Sequence, residues 1–203
     1  MSNLSGFIAL GLYLVCTLGL ILRLQGKTQL ASKSIASLLL PGFAGVIFHL
    51  FHLYSTMITD QGLQFGFFNA ASAIGAINSL LILLMSLKRQ TEIMATIILP
   101  ITALTIIFEI VFPGSLLLPP ESPVGLQIHV LASIIAYSLL GLAALMSLLL
   151  AVQNHLLHNH HPGGLLHHLP PLQILEKMLF DSIFAGFIGL SIALASGFIF
   201  LEN

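Results

Sequence analysis

The sequence predicts an all-α integral membrane protein, folded as a bundle of six transmembrane helices. Six stretches are apolar enough to cross a hydrocarbon core, which takes roughly 20 helical residues. They cover residues 4–22, 35–58, 65–87, 93–112, 124–152 and 178–201. Hydrophobic residues make up 57% of the chain and charged residues only 6%, whereas about 25% of the residues in a soluble domain are charged. Because the loops are short apart from 153–177, we expect a single transmembrane domain over residues 1–203.

The composition also excludes several classes of function. A formal net charge of −1 provides no attraction for a phosphate backbone, so membrane lipid is the expected partner and nucleic acid is not. Cys16 is the single cysteine of the chain, which excludes an internal disulfide and any multi-cysteine haem-attachment or metal site. The sequence contains no nucleophile–base pair, phosphate-binding glycine loop or paired carboxylates. We therefore expect no enzymatic activity.

The basic residues predict the orientation in the membrane. All the Lys and Arg residues fall at one end of the predicted spans: Arg23, Lys27, Lys33, Lys88, Arg89 and Lys177. Loops rich in Lys and Arg remain in the cytoplasm, so these loops are predicted to be inside and both chain ends outside. The first span lacks a preceding basic segment and a small-residue cleavage site. It is therefore predicted to be a retained helix and not a signal peptide.

Within the spans, small and polar residues fall on single helical faces, from the second span to the sixth. A polar group facing lipid is unfavourable, so these faces are expected to point toward the interior of the bundle. In chain order the faces contain Gly42, Gly45, His49 and His52; Asn69, Ser72, Ala76 and Ser79; Thr102, Thr105 and Glu109; His129, Ser133 and Ala136; and Ser182, Gly186, Gly189 and Ala193.

Four ionisable side chains on these faces form the predicted site. At about 1.5 Å of rise per residue, His52 and His129 lie at similar depth below the predicted outer surface. His49 lies one turn deeper, and Glu109 is near the same end. Imidazoles from facing helices can be axial ligands of haem iron, or with Glu109 they can hold a divalent metal ion. The alternative is that each histidine only hydrogen-bonds across helices, but their convergence favours a site.

Two loops have distinctive compositions. The predicted outer loop 113–123 contains four prolines, so it is expected to be non-helical and to cover the outer end of the bundle. The predicted inner loop 153–177 contains six of the nine histidines: His155, His158, His160, His161, His167 and His168. Such tracts can bind transition metals, but the spacing matches no zinc pattern, and we interpret the loop as solvated. Residues 172–180 are expected to form a separate amphipathic segment on the inner surface.

Three segments resemble a known family, the cytochrome c assembly (CcsA/CcmC) membrane proteins. Residues 126–138, LQIHVLASIIAYS, are similar to the segment that opens the helix after the large outer loop in that family. Residues 169–180, LPPLQILEKMLF, and the pair Phe68-Asn69 resemble the branch typified by the bacterial inner membrane protein YpjD. His49 falls where that branch has a histidine in its second helix.

The resemblance implies a location, a cofactor and a set of ligands. It implies a bacterial inner membrane protein that binds b-type haem non-covalently and works with haem or cytochrome assembly partners. It also implies that His129 is an outward-facing haem ligand, with His49 or His52 as its partner on the iron. The residues then expected to surround and orient these ligands are Glu109, Asn69, Ser133 and Tyr137.

The sequence departs from the family pattern at two points. It contains no tryptophan, so it lacks the Trp-rich outer motif with which haem-delivering members hold their substrate, as does the YpjD branch. It also stops at Asn203, where relatives continue through two further helices. We therefore expect a fragment or a shortened member of an eight-helix fold, with a role in binding or handling haem and not in its direct delivery.

The alternative function belongs to a different class. In this reading the protein is a metal-ion transport accessory or a small transporter. A divalent cation would be bound by the predicted cluster of His49, His52, Glu109 and His129. An absorbance spectrum of the purified protein distinguishes the two functions, because bound haem absorbs strongly in the visible range.

Overall fold

Six long helices account for most of the structure. The computed structural model describes residues 2–26, 34–88, 91–114, 116–119, 122–158 and 169–201. Its helices are α1 (Ser2–Leu24), α2 (Ile35–Met57), α3 (Phe67–Ser86), α4 (Glu92–Val111), α5 (Val124–His158) and α6 (Leu172–Leu201). All six are long and apolar enough to span a membrane. The predicted fold class is confirmed, and the chain is a multi-pass membrane protein.

The last two helices are longer than the sequence predicts. Helix α5 continues to His158, so the predicted inner loop does not begin at residue 153, and His155 and His158 are helical. Helix α6 begins at Leu172, so the segment 172–180 forms the first turns of α6 and is not a separate element. The carbonyl of Pro171 accepts the amide protons of Ile174 and Leu175, which starts the helix directly after the two prolines. No Pro or Gly interrupts the turns that follow, and Leu175 is fully buried there.

A small antiparallel sheet, absent from the sequence prediction, joins two loops. Its strands are β1 (Ile58–Thr59), β2 (Gly62–Gln64) and β3 (Leu117–Leu118), in that order across the sheet. Strands this short have too few residues to show an alternating pattern. Gly62 has a φ of 123°, and a β-carbon there would collide with the carbonyl oxygen of Leu118. The sheet therefore requires glycine at this position, and it ties the α2–α3 loop to the chain that follows α4.

The chain divides into two compact units, Met1–Pro120 and Glu121–Asn203, and the prediction of a single domain remains a prediction. In the first unit, α1 packs against α2 and α4, and α3 packs against the same two helices. Each helix thus has two neighbours, as in a four-helix ring. Tyr13, Leu39, Leu83 and Leu99 are fully buried between them. We call the end of this unit where β1, β2 and β3 lie the sheet end.

The second unit is an antiparallel pair of helices, α5 and α6. A β-carbon at Gly186 would lie 2.9 Å from Leu140, and one at Gly197 would lie 3.1 Å from His129. Residues later in α6 thus contact residues earlier in α5, as expected for antiparallel helices. The small-residue face predicted on the sixth span is the face that meets α5, and its glycines allow the two helices to approach closely.

At the other end of the first unit, Arg23 Nε and Glu92 Oε2 form an ion pair of 3.1 Å between α1 and α4.

Some residues used in the sequence predictions lie outside the described residues. These are Lys27, Lys33 and Arg89 of the orientation argument, and His160, His161, His167 and His168 of the histidine-rich loop.

Candidate functional site

The predicted polar faces of α2, α3 and α4 are buried inside the first unit. Both histidines of α2, His49 and His52, have 0% exposure, Asn69 on α3 has 4%, and Glu109 on α4 has 3%. Helical spacing alone would put these residues on single faces. The packing of the four helices turns those faces toward one another, so the polar interior predicted for these helices is present.

At the sheet end, the carboxylate of Glu109 is the centre of a polar cluster. Its Oε1 lies 3.2 Å from Asn69 Nδ2 and 2.9 Å from Thr56 Oγ1, both of which donate to it. His52 Nε2 lies 3.7 Å from the same oxygen. The other oxygen, Oε2, is buried and has no hydrogen-bond partner among the described residues. Oε1 is therefore held by donors of the protein, whereas Oε2 lacks the donor or cation that a buried carboxylate oxygen requires.

The orientation of Asn69 is fixed by the start of its own helix. Its Oδ1 accepts the amide proton of Gly66, three residues earlier, at 3.2 Å. This is the contact by which a side chain in the first turn caps a helix. The amide nitrogen is then left to donate to Glu109, so the cap of α3 and the position of the carboxylate depend on the same side chain.

A cavity of about 350 Å³ lies beside this cluster. His52, Thr56, Asn69 and Glu109 line it, together with residues of three helices and of the strands and loops at the sheet end: Asn3, Ser55, Thr59, Gln64, Ile110, Pro113 and Gly114. The volume falls within the range of small-ligand sites. Polar and apolar groups contribute about equally to its lining, which is more polar than that of a typical pocket for an apolar ligand.

His49 belongs to a second polar cluster, one turn further along α2. Its Nε2 lies 2.8 Å from Ser72 Oγ on α3, and its Nδ1 lies 3.3 Å from the hydroxyl of Tyr13 on α1. Tyrosine and serine hydroxyls can each donate or accept, so one ring nitrogen donates and the other accepts in either tautomer. Both ring nitrogens are thus engaged, and ligation of a metal by His49 would require one of these contacts to break.

His129 has a different environment, in the second unit. Its Nδ1 lies 2.6 Å from the carbonyl oxygen of Ala193 and 3.1 Å from Ser196 Oγ, both on α6. A carbonyl oxygen can only accept, so Nδ1 is the protonated nitrogen. The lone pair of the imidazole is then on Nε2, which has no hydrogen-bond partner among the described residues. Metal-ligating histidines are commonly oriented in this way, by donation from the other ring nitrogen to a carbonyl.

Gly197 makes room for this imidazole. A β-carbon at Gly197 would lie 3.1 Å from His129 Cε1, closer than most side chains tolerate. On α5 itself, the hydroxyl of Ser133 donates to the carbonyl oxygen of His129 at 2.8 Å, so it contacts the backbone and not the ring. Tyr137, two turns along the helix, is 55% exposed.

The structure brings some of the predicted residues together and leaves others untested. His52, Glu109 and Asn69 form one cluster, and His49 lies beside them in the same unit. His129, Ser133 and Tyr137 belong to the second unit. The predicted convergence of His129 with the other two histidines remains a prediction.

Sequence reasoning did not identify several residues that contact the histidines. Tyr13 could have been found as the one aromatic hydroxyl in the first span, and Thr56 as the residue one turn after His52. Nothing in the sequence indicated the contacts between His129 and α6 other than the small residues of the sixth span. Among the described residues, no three His, Cys, Asp or Glu side chains are grouped so that they could hold a metal ion by themselves.

Comparison with known proteins gives one match. The sequence model of the family described as Cytochrome C assembly protein matches residues 37–203. The matched range begins within α2 and includes His49, His52 and His129, whereas α1 with Tyr13 precedes it. None of the curated proteins and none of the solved structures matches the chain.

Proposed function

Because the chain belongs to the cytochrome c assembly protein family, we propose that it binds or handles haem in a bacterial inner membrane, without acting as an enzyme. The observation that carries this proposal is the environment of His129. Its Nδ1 is held by Ala193 and Ser196, and its Nε2 is left available as a ligand. The segment 126–138 that contains it is also the segment most similar to the family pattern.

The residues around His129 fit a histidine ligand of haem iron. Ala193 and Ser196 fix the orientation and tautomer of the ring, and a ring that donates a proton from Nδ1 is a stronger base at Nε2. Gly197 keeps the adjacent face of α6 free of side-chain atoms. When bound, haem would supply an iron atom, which His129 Nε2 would hold.

That His49 or His52 would also bind the iron remains a prediction from the sequence. Their contacts differ in a way that bears on this choice. His49 would first have to release Tyr13 or Ser72, whereas His52 lines a cavity next to Glu109. The finer placement in the YpjD-like branch rests on residues 169–180 and Phe68-Asn69, and so do the assembly partners that this placement implies.

Haem absorbance of the purified protein tests the proposal. After expression with a haem precursor, the protein should show a Soret band and a reduced-minus-oxidised difference spectrum typical of b-type haem. In His129→Ala this absorbance should be lost or shifted, because the proposed ligand is removed.

The matched control is a variant in which the six histidines of loop 153–177 are all replaced by glutamine, which should keep the wild-type spectrum. His49→Gln and His52→Gln, measured in parallel, identify the second ligand by a change in band position. A wild-type spectrum in His129→Ala, or no haem in the wild-type protein, contradicts the proposal.

A further inference from the structure

The cavity at the sheet end is lined by a carboxylate of which only one oxygen has a hydrogen-bond donor among the described residues. Glu109 is 3% exposed, and its Oε2 has no hydrogen-bond partner among the described residues. An ionised carboxylate is costly to bury unless a charge or several donors compensate it. The helix that contains it lies in a membrane protein, where water is less available than at a protein surface. The geometry thus calls for a partner inside the cavity.

The neighbouring polar side chains already have other partners. Asn69 donates to Glu109 Oε1 and accepts from Gly66, and Gln64 donates to the carbonyl oxygen of Gly114 at 2.7 Å. Thr59 donates to the carbonyl oxygen of Gly62, and Ser55 to that of His52. None of these contacts offers a proton to Glu109 Oε2. Glu109, which lines the cavity, thus keeps one carboxylate oxygen without a donor among the described residues, and such an oxygen is suited to a cation.

We propose that this cavity binds a divalent first-row transition-metal cation such as Zn²⁺, with Glu109 and His52 as its protein ligands. Glu109 would bind the ion through Oε2, because Oε1 already accepts from Thr56 and Asn69. His52 Nε2 lies 3.7 Å from Oε1 of the same carboxylate, so the imidazole is beside the group with which it would share the ion. Metals of this class bind a nitrogen together with a carboxylate oxygen. Ca²⁺ and Mg²⁺ prefer ligand sets that consist of oxygen alone.

The number of ligands predicts the kind of site. Because no three His, Cys, Asp or Glu side chains are grouped among the described residues, the cavity would supply two protein ligands, and water in the 350 Å³ cavity would complete the coordination. A structural zinc site has four protein ligands and is closed. The proposed site is therefore an open one, from which the cation exchanges readily.

Zinc titration of the full-length protein tests this proposal. The six histidines of loop 153–177 would obscure it, so they are first replaced by glutamine, and no histidine tag is left on the chain. Isothermal titration with Zn²⁺ in detergent should then show one equivalent of binding. Glu109→Gln and His52→Gln should each weaken binding at least tenfold, whereas Glu176→Gln, which changes an exposed glutamate of α6, should leave it unchanged.

A variant that should bind zinc more tightly keeps the proposal testable if a variant designed to weaken binding fails to fold. Asn69→Asp keeps the oxygen that accepts from Gly66 and places a second carboxylate beside Glu109. Zinc should then bind at least tenfold more tightly, because the added negative charge is neutralised only by the cation. Unchanged or weaker binding in Asn69→Asp overturns the proposal, as does the absence of stoichiometric binding in the parent.

The haem and zinc proposals share His52 as a candidate ligand, and variants of His129 and His52 separate them. A change of the haem spectrum in His52→Gln would assign His52 to the iron and overturn the zinc proposal. His129→Ala should abolish the haem signal and leave zinc binding intact. If zinc binding is lost in His129→Ala, the cation belongs to that histidine and the cavity proposal is wrong. If haem is absent while one zinc binds with the expected dependence on Glu109 and His52, the cavity proposal stands and the haem proposal does not.

Discussion

Two buried or half-buried histidines of this protein show how much the chemistry of a residue depends on its partners. His49 is enclosed by Tyr13 and Ser72, and both of its ring nitrogens are engaged. His129 donates one ring proton to Ala193 and keeps the other nitrogen available. The sequence marked both as candidates because they occupy polar faces of apolar helices. It could not separate them, because the partners lie 36 and 64 positions away in the chain.

At residue scale, the first prediction concerns the space beside His129. In Gly197→Ala, the new methyl group would lie 3.1 Å from His129 Cε1, so the ring must turn away from Ala193. Haem absorbance per protein should fall several-fold or shift. Gly189→Ala is the matched control, because its methyl group would crowd the same helix pair at 3.2 Å from Ala136 without touching His129. Equal spectra for the two variants would contradict the proposed role of Gly197.

The second prediction concerns Asn69, which caps α3 and holds Glu109. Asn69→Ala leaves the amide of Gly66 and the Oε1 of Glu109 each without one partner. A buried polar group left unsatisfied costs about 1–3 kcal/mol, so the free energy of unfolding should fall by at least that much. Asn78→Ala on the same helix is the control. Asn78 Oδ1 has no partner to lose among the described residues, so its removal leaves no new unsatisfied group and should not lower the free energy of unfolding in this way. Denaturant unfolding in detergent measures both.

At the scale of the elements, two loops meet at the sheet end through their backbones. A β-carbon at Gly66 or at Gly114 would collide with the backbone of the other glycine. Phe65 also donates its amide proton to the carbonyl oxygen of Leu116 at 2.7 Å. The start of α3 and the chain after α4 are thus held together where the cavity is formed. The position of the cavity therefore depends on these glycines as well as on its polar lining.

The third prediction follows from this contact. Gly66→Ala should lower the free energy of unfolding by about 1–3 kcal/mol, because a methyl group that meets backbone atoms cannot be accommodated by a change of rotamer. Gly11→Ala is the control, since a β-carbon there meets nothing within 4 Å and alanine favours the helix over glycine. Thermal unfolding in detergent compares the two. A Gly66→Ala protein as stable as the control would show that the approach of the two loops is not required.

At the scale of the whole molecule, the orientation in the membrane determines which compartment the cavity faces. The positive-inside rule places Asp60, in the β1–β2 turn, outside the cell and Lys88, at the end of α3, inside. Both residues are exposed. The sheet end, with its cavity, is then predicted to face the outer side of the membrane.

The fourth prediction tests this orientation by cysteine labelling. The background is Cys16→Ala, which removes the one native thiol. Asp60→Cys should react with an impermeant thiol reagent in intact cells, and Lys88→Cys should react only after the cells are opened. The reverse pattern would place the cavity on the cytoplasmic side and would contradict the predicted orientation.

The sequence was sufficient for the features that depend on neighbours along the chain. Long apolar runs specified the six helices, because the backbone must satisfy its own hydrogen bonds in lipid, and the spacing of polar residues specified their buried faces. The end of α5 and the start of α6 were predicted less accurately, since the apolar pattern weakens at both. The three short strands had no local signal, because they form only where two distant loops meet.

The sequence by itself thus determined the fold class, the family and the residues that had to be buried. Only the tertiary structure decided what those residues contact: that Thr56 and Asn69 hold one oxygen of Glu109 and leave the other without a partner, and that α6 orients His129. The physical reason is the separation along the chain over which each property is determined. Burial in a membrane helix follows from periodicity over a few residues, whereas a hydrogen bond is made or lost within a few tenths of an ångström between helices far apart in the chain.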